Sequence, residues 1–243
     1  MHFTSETRLD GDLLEREFTL DGVPGILWTP ATASEPTPLI LLGHPGGVGR
    51  MYPRLLGRAR SAARSGFATA TIELPWAGDR PGSPAARQVR AELIDVLDSG
   101  APVTDDLVDR LILPLVEAAV PEWIATIDAL LALPEIGGPV AHSGGAIAIA
   151  TRLARIEPRV VAAGMFAGSY VPRSILAEAP QVTIPLHVLL QWDDEGNDRR
   201  MALDLFDAFG SAEKTLQANM GGHTGVPAFA GEDAGRFFER HLR

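Results

Sequence analysis

A chain of 243 residues, 46% hydrophobic, 21% charged and with a mean hydropathy of +0.08, has the composition of one large folded domain, neither disordered nor membrane-embedded. Its net charge of −10 and pI near 5.0 repel phosphate backbones and anionic bilayers, which argues against nucleic-acid and membrane-surface partners. The absence of cysteine excludes disulfides, thiol nucleophiles and cysteine-ligated metals.

The first residues, MHFTSETRLDGD, are polar and acidic, unlike a secretory signal. No apolar stretch reaches the ~18 residues of a membrane span, so a cytoplasmic location is expected. Residues 15–29 alternate around Asp21-Gly22, with Phe18 and Leu20 before the turn and Ile26 and Trp28 after it, which predicts an antiparallel hairpin. Leu39-Ile40-Leu41-Leu42 reads as a strand buried on both faces, ending in the loop Gly43-His44-Pro45-Gly46-Gly47. A helix over 52–65 stops at Gly66, and 67–74 form the next strand. Residues 75–85 are a Pro/Gly-rich loop. Helical stretches follow at 86–100, at 104–118 with Pro114 expected to kink or interrupt it, and at 121–133 with Pro121 in its first turn. Residues 76–118 exceed a minimal crossover and read as a helical insertion or lid on a single domain spanning 1–243. Strands are expected at 139–142, 160–166, 184–192 and 213–218, with helices at 145–156, 199–210 and 232–242. The fold class is therefore α/β: a mostly parallel central sheet of about eight strands with an N-terminal antiparallel hairpin, flanked by helices. Sites in such sheets lie at the carboxyl ends of strands.

One such end carries Ala141-His142-Ser143-Gly144-Gly145. A serine on a sharp strand-to-helix turn needs small neighbours two positions either side, and Ala141 and Gly145 supply them. The Gly144 N–H, at a helix start, can donate to an oxyanion. A second donor can come from the 43–47 loop; Pro45 has no N–H, which leaves Gly46 or Gly47. Serine needs a base. Among six histidines, His2 and His241 lie near the termini and His187 within a strand, His142 packs beside the serine and His44 braces its loop. His223 lies in the glycine-rich loop Met220-Gly221-Gly222-His223-Thr224-Gly225 before the last helix. An acidic run, Asp193-Asp194-Glu195, follows Gln191-Trp192.

These residues resemble the α/β-hydrolase superfamily, in particular its small esterases and dienelactone-hydrolase-like members. The motif matches G-x-S-x-G, the nucleophile elbow, with alanine for the first glycine. The 43–47 loop is similar to the superfamily's His-Gly oxyanion loops, with proline after the histidine. The resemblance implies Ser143 as nucleophile, His223 as base and an acid from the 193–195 run. The spacing of related hydrolases matches Asp194, although Asn197 and Asp198 replace the usual apolar pair, and Asp193 stays open. The order Ser, acid, His is the superfamily's own. Dienelactone hydrolases proper use cysteine, so the resemblance points to a carboxylic ester hydrolase acting on a small or short-acyl ester, as a monomer or homodimer. Lactonase, peptidase and C–C hydrolase chemistry on the same triad, or a non-catalytic hydrolase-fold binding protein, are the alternatives. Trp76 and Trp192 are candidate pocket aromatics, with ordinary core packing as their other reading. No cofactor is expected, and no HExxH-like metal spacing or P-loop ending is present.

Overall fold

The structure, a computed structural model, describes residues 1–10 and 12–243. Its described residues form a nine-stranded sheet in the order β1-β2-β3-β5-β4-β6-β7-β8-β9. The strands are β1 (His2–Leu9), β2 (Leu13–Leu20), β3 (Val23–Pro30), β4 (Thr37–Gly43), β5 (Ala68–Ile72), β6 (Ile136–Gly144), β7 (Val160–Phe166), β8 (Leu186–Gln191) and β9 (Lys214–Asn219). The first three pair antiparallel and β3 joins β5 antiparallel; from β5 through β4 to β9 all pairs are parallel. The expected hairpin is β2–β3. Asp21 and Gly22 both take positive φ, 49° and 82°, the two-residue turn whose twist matches the strands it joins. One more strand than expected is present. β1 is mostly exposed, so its residues carry no burial pattern from which sequence could read a strand.

The helices are α1 (Val48–Arg64), α2 (Pro84–Asp98), α3 (Asp105–Leu131), α4 (Ile147–Ile156), α5 (Arg173–Glu178), α6 (Arg199–Ala208) and α7 (Ala228–Leu242). Strand alternation divides the core into two layers. Leu39, Leu41, Val140 and Met165 point to one face and pack with α3 and α4. Ile40, Leu42, Ala141 and Ala162 point to the other and pack with Leu55 and Ala59 of α1 and Phe237 and Phe238 of α7.

The expected break near Pro114 does not occur. α3 runs unbroken from Asp105 to Leu131 with Pro114 and Pro121 inside it, so residue 118 marks no boundary. Thr104 caps it, its hydroxyl accepting from Leu107 N–H at 3.3 Å. Ten side chains along the helix, from Leu107 to Leu130, are buried. At about 1.5–3 kcal/mol for each fully buried large apolar side chain, that burial outweighs the roughly 3 kcal/mol cost of an interior proline. α2 buries no residue fully and is tied to α3 by the Arg110–Glu92 ion pair. Among the described residues no helix is long and apolar enough to cross a membrane.

Candidate active site

The carboxyl ends of the parallel strands bring Asp194 and His223 together. Asp194 lies in the turn after β8, with its side chain 2% exposed. One carboxylate oxygen accepts from His223 Nδ1–H at 2.7 Å and the other from Gly196 N–H at 3.0 Å. Asp193, one residue earlier, is exposed and engages only through its backbone, donating to Gly221 O at 3.2 Å. With Nδ1–H given to Asp194, the neutral imidazole presents Nε2 as its basic nitrogen. The ring rests edge-on against Phe166 at the end of β7, with centroids 5.3 Å apart.

Two side chains brace this pair that sequence reasoning missed. Gln191, at the end of β8, donates to Gly222 O at 3.1 Å and so holds the residue before His223. Asn197 donates to Ala167 O at 2.7 Å, tying the acid turn to the chain beyond β7. Amides flanking an acidic run were the only sequence signal for either. Trp192 is half-buried, with the Arg199 guanidinium 4.2 Å over its ring, and packs on the main core. Trp76 lies in the turn after β5, 37% exposed and at φ 62°. That backbone conformation is costly for a bulky residue and persists only where its surroundings impose it.

The serine turn differs from the expected one. Ser143 is still in β6, in register with Leu42 of β4 and Gly164 of β7. The sharp turn falls on Gly144 and Gly145, at φ 72° and 75°, because two glycines adopt the left-handed backbone without a Cβ penalty. α4 then begins at Ile147, so Gly144 is not in its first turn. The close approach expected of the motif's last glycine is present: a Cβ on Gly145 would lie 2.8 Å from the Gly43 Cα.

Ser143 Oγ accepts a hydrogen bond from Arg58 Nη2 at 2.9 Å. It makes none with His223. The serine hydroxyl lies beside Gly164, whereas His223 rests on Phe166, two residues or about 7 Å further along β7. The structure therefore joins the candidate base and acid, His223 and Asp194, and leaves the candidate nucleophile one level lower.

The loop Gly43-His44-Pro45-Gly46-Gly47 approaches the same turn. His44 is 2% exposed; its Nδ1 faces Gly46 O and its Nε2 faces Ile72 O at 2.9 Å. Burial is the larger influence and holds its pKa below 6.5. Glu73, buried at the end of β5, accepts from Val48 N–H at 2.9 Å, an anion at the amino end of α1. That occupies the N–H after Gly47. Among the described residues, the Gly46 and Gly47 N–H groups have no hydrogen-bond partner. No three His, Asp or Glu side chains converge there as metal ligands.

His142 points to the opposite face from Ser143, edge-on to Trp123 with centroids 6.1 Å apart. Burial, with a smaller push from the Arg58 charge, lowers its pKa from 6.5 to about 3. The folded state thus keeps His142 neutral while the unfolded chain takes up a proton below 6.5. Stability is full above that value and is lost as pH falls towards 3. At about pH 4.5 the loss is on the order of 2–3 kcal/mol from this group, and His44 adds in the same direction. His142→Leu is expected to flatten the fall in urea midpoint between pH 7 and 4.5; an unchanged fall would contradict this.

A nine-stranded, largely parallel sheet between helical layers, with an acid–histidine pair and a glycine turn at its strand ends, is the α/β-hydrolase fold. No family model matches the chain, and no curated protein matches it in sequence. Solved structures do match. A cold-adapted esterase from an Arctic intertidal metagenomic library is similar over 100% of both chains, at 25% identity and a TM-score of 0.79. An acetyl xylan esterase from a Thermoanaerobacterium species matches 98% of this chain and 87% of its own, at 11% identity and a TM-score of 0.68. Dienelactone hydrolase from Anabaena variabilis matches 94% of this chain and 99% of its own, at 19% identity and a TM-score of 0.62. The last two likenesses concern the fold.

Proposed function

We propose that the chain is a serine hydrolase of carboxylic esters, with Ser143 as nucleophile, His223 as general base and Asp194 as the acid. The observation that carries this reading is the 2.7 Å bond from His223 to the buried Asp194, in a fold shared end to end with an esterase. A histidine held by a buried carboxylate through Nδ1 is a base oriented for use, and the carboxylate stabilises the imidazolium that forms.

In the reaction, Ser143 Oγ bonds to the acyl carbon as its proton passes to His223 Nε2. The carbonyl oxygen becomes an oxyanion, held by Gly144 N–H and by Gly46 or Gly47 N–H. The C–O bond to the alcohol breaks, and the alkoxide takes the proton from His223. Water, deprotonated by His223, then attacks the acyl-enzyme; the Ser143 Oγ–acyl bond breaks and Ser143 Oγ takes the proton back from His223, releasing the acid. Arg58 is a donor only, so the Ser143 O–H proton is not spent on it; this donor and His223 Nε2 are the two groups left to meet. The two meet when substrate binds, as catalytic hydrogen bonds often tighten only in the complex.

Of the expected lid, residues 76–104 cover this end of the sheet, since α3 is anchored in the core from its first turns, and Trp76 and Trp192 contact the substrate. Met220 and Phe229, 73% and 54% exposed on either side of the His223 loop, add apolar surface for an acyl chain. A second reading, a non-catalytic binding protein on the same fold, is favoured by one observation: Ser143 bonds to Arg58 instead of His223. Turnover of p-nitrophenyl esters of increasing acyl length, beside lactones and aminoacyl amides, separates the readings. Ester turnover, highest for short acyl chains, is the expected result. Activity on lactones or amides alone would reassign the substrate, and none on any of them would favour the binding protein.

A further inference from the structure

We infer that Arg58 is a positioning residue for this reaction, pinning together the two strand ends that carry the oxyanion loop and Ser143. The inference rests on the reading of Ser143 as nucleophile.

Arg58 lies on α1, the helix that follows the oxyanion loop. Its Nη1 donates to Gly43 O at 3.0 Å, and its Nη2 donates to Ser143 O at 2.5 Å and to Ser143 Oγ at 2.9 Å. Gly43 and Gly144 are neighbours in register across β4 and β6. One planar group therefore spans both strand ends where each leaves the sheet. It also fills the space beneath the turn, since a Cβ on Gly144 would lie 3.0 Å from Nη2. The guanidinium thus adds side-chain donors to the β4–β6 register where the ladder ends at Gly43 and Gly144.

The chemistry of the side chain supports a role beyond packing. All three acceptors are uncharged oxygens. Although the residue keeps some exposure overall, its charged end is surrounded by protein, and burial lowers its pKa to about 10. A cation enclosed without a carboxylate works against stability. What it provides is a rigid fork of donors, stronger than neutral ones and unable to accept a proton. A glutamine could bridge similar oxygens, but its carbonyl could take up the Ser143 O–H; arginine cannot. Arg58 thus holds the serine oxygen by a lone pair and leaves its proton for His223. The partial positive charge also favours the oxygen as it loses that proton.

Misplacing reacting groups by about 1 Å costs on the order of 10²-fold in rate. Arg58→Met is accordingly expected to lower kcat for p-nitrophenyl acetate by about 10²-fold, with KM changed by less than about threefold. Arg58→Lys, which keeps the charge but one donor point, should recover part of the loss. Turnover is expressed per site by titration with a fluorophosphonate, which counts the competent molecules. A merely structural role predicts fewer titratable sites with wild-type turnover at each. That result, or faster turnover per site in Arg58→Met, would overturn the inference. If the methionine variant fails to fold, wild-type turnover per site in Arg58→Lys would overturn it equally. Ser143→Ala run in parallel separates the two claims. If it is inactive while Arg58→Met turns over normally per site, only the Arg58 inference falls; if it stays active, the nucleophile assignment falls first.

Discussion

His223→Ala is expected to lower kcat for p-nitrophenyl acetate by on the order of 10⁴- to 10⁶-fold, with little change in KM. The imidazole gives Nδ1–H to Asp194, which leaves Nε2 as its basic nitrogen. Without it the Ser143 proton has no acceptor in the attack and the alcohol no donor as it leaves. Both steps need the same ring, which is why the loss is large and falls on kcat. Folding should be little affected, because the His223 side chain is 48% exposed. Steady-state kinetics on the folded variant checks this, and turnover within tenfold of wild type would contradict the assignment.

Asp194→Asn should cost about 10⁴-fold in kcat, whereas Asp193→Asn should stay within about twofold. The Asp194 carboxylate has both oxygens engaged, by His223 Nδ1–H and by Gly196 N–H. An amide cannot accept at both positions. Turned one way it loses Gly196; turned the other, its NH₂ faces Nδ1 and forces the ring into the tautomer with Nε2 protonated, which cannot act as base. Asp193 has neither duty, since only its backbone N–H is engaged nearby. The two variants compared in one assay decide which carboxylate serves the histidine. Equal losses from both would contradict the assignment of Asp194.

The layered fold was legible because burial imposes a period on sequence. Leu39 to Leu42 read as a strand covered on both faces, and their side chains do divide between the two core layers. β1 lacked such a signal, being mostly exposed, with Phe3 and Leu9 alone half-buried. The prolines of α3 misled, since local propensity predicts a break and the buried stripe that overrides it comes from tertiary packing. At the site, strand ends and the superfamily resemblance pointed to Ser143, the acidic run and His223 as candidates, and of these the structure joins Asp194 and His223. The spacing of related hydrolases favoured Asp194 but left Asp193 open, because which carboxylate meets the histidine depends on where the His223 loop is placed. The turn's shift onto Gly144 and Gly145 could not be read, since it depends on backbone conformation. Arg58 was the least legible, one arginine among several in an amphipathic helix. Its acceptors at Ser143 lie 85 residues away, and nothing local distinguishes it from the arginines that face solvent.

The most direct test of the account is covalent labelling with a fluorophosphonate, followed by peptide mapping. The account predicts one adduct per chain, on Ser143, absent in Ser143→Ala and strongly slowed in His223→Ala. No adduct on the folded protein, or an adduct on another serine such as Ser169 beyond β7, would contradict it.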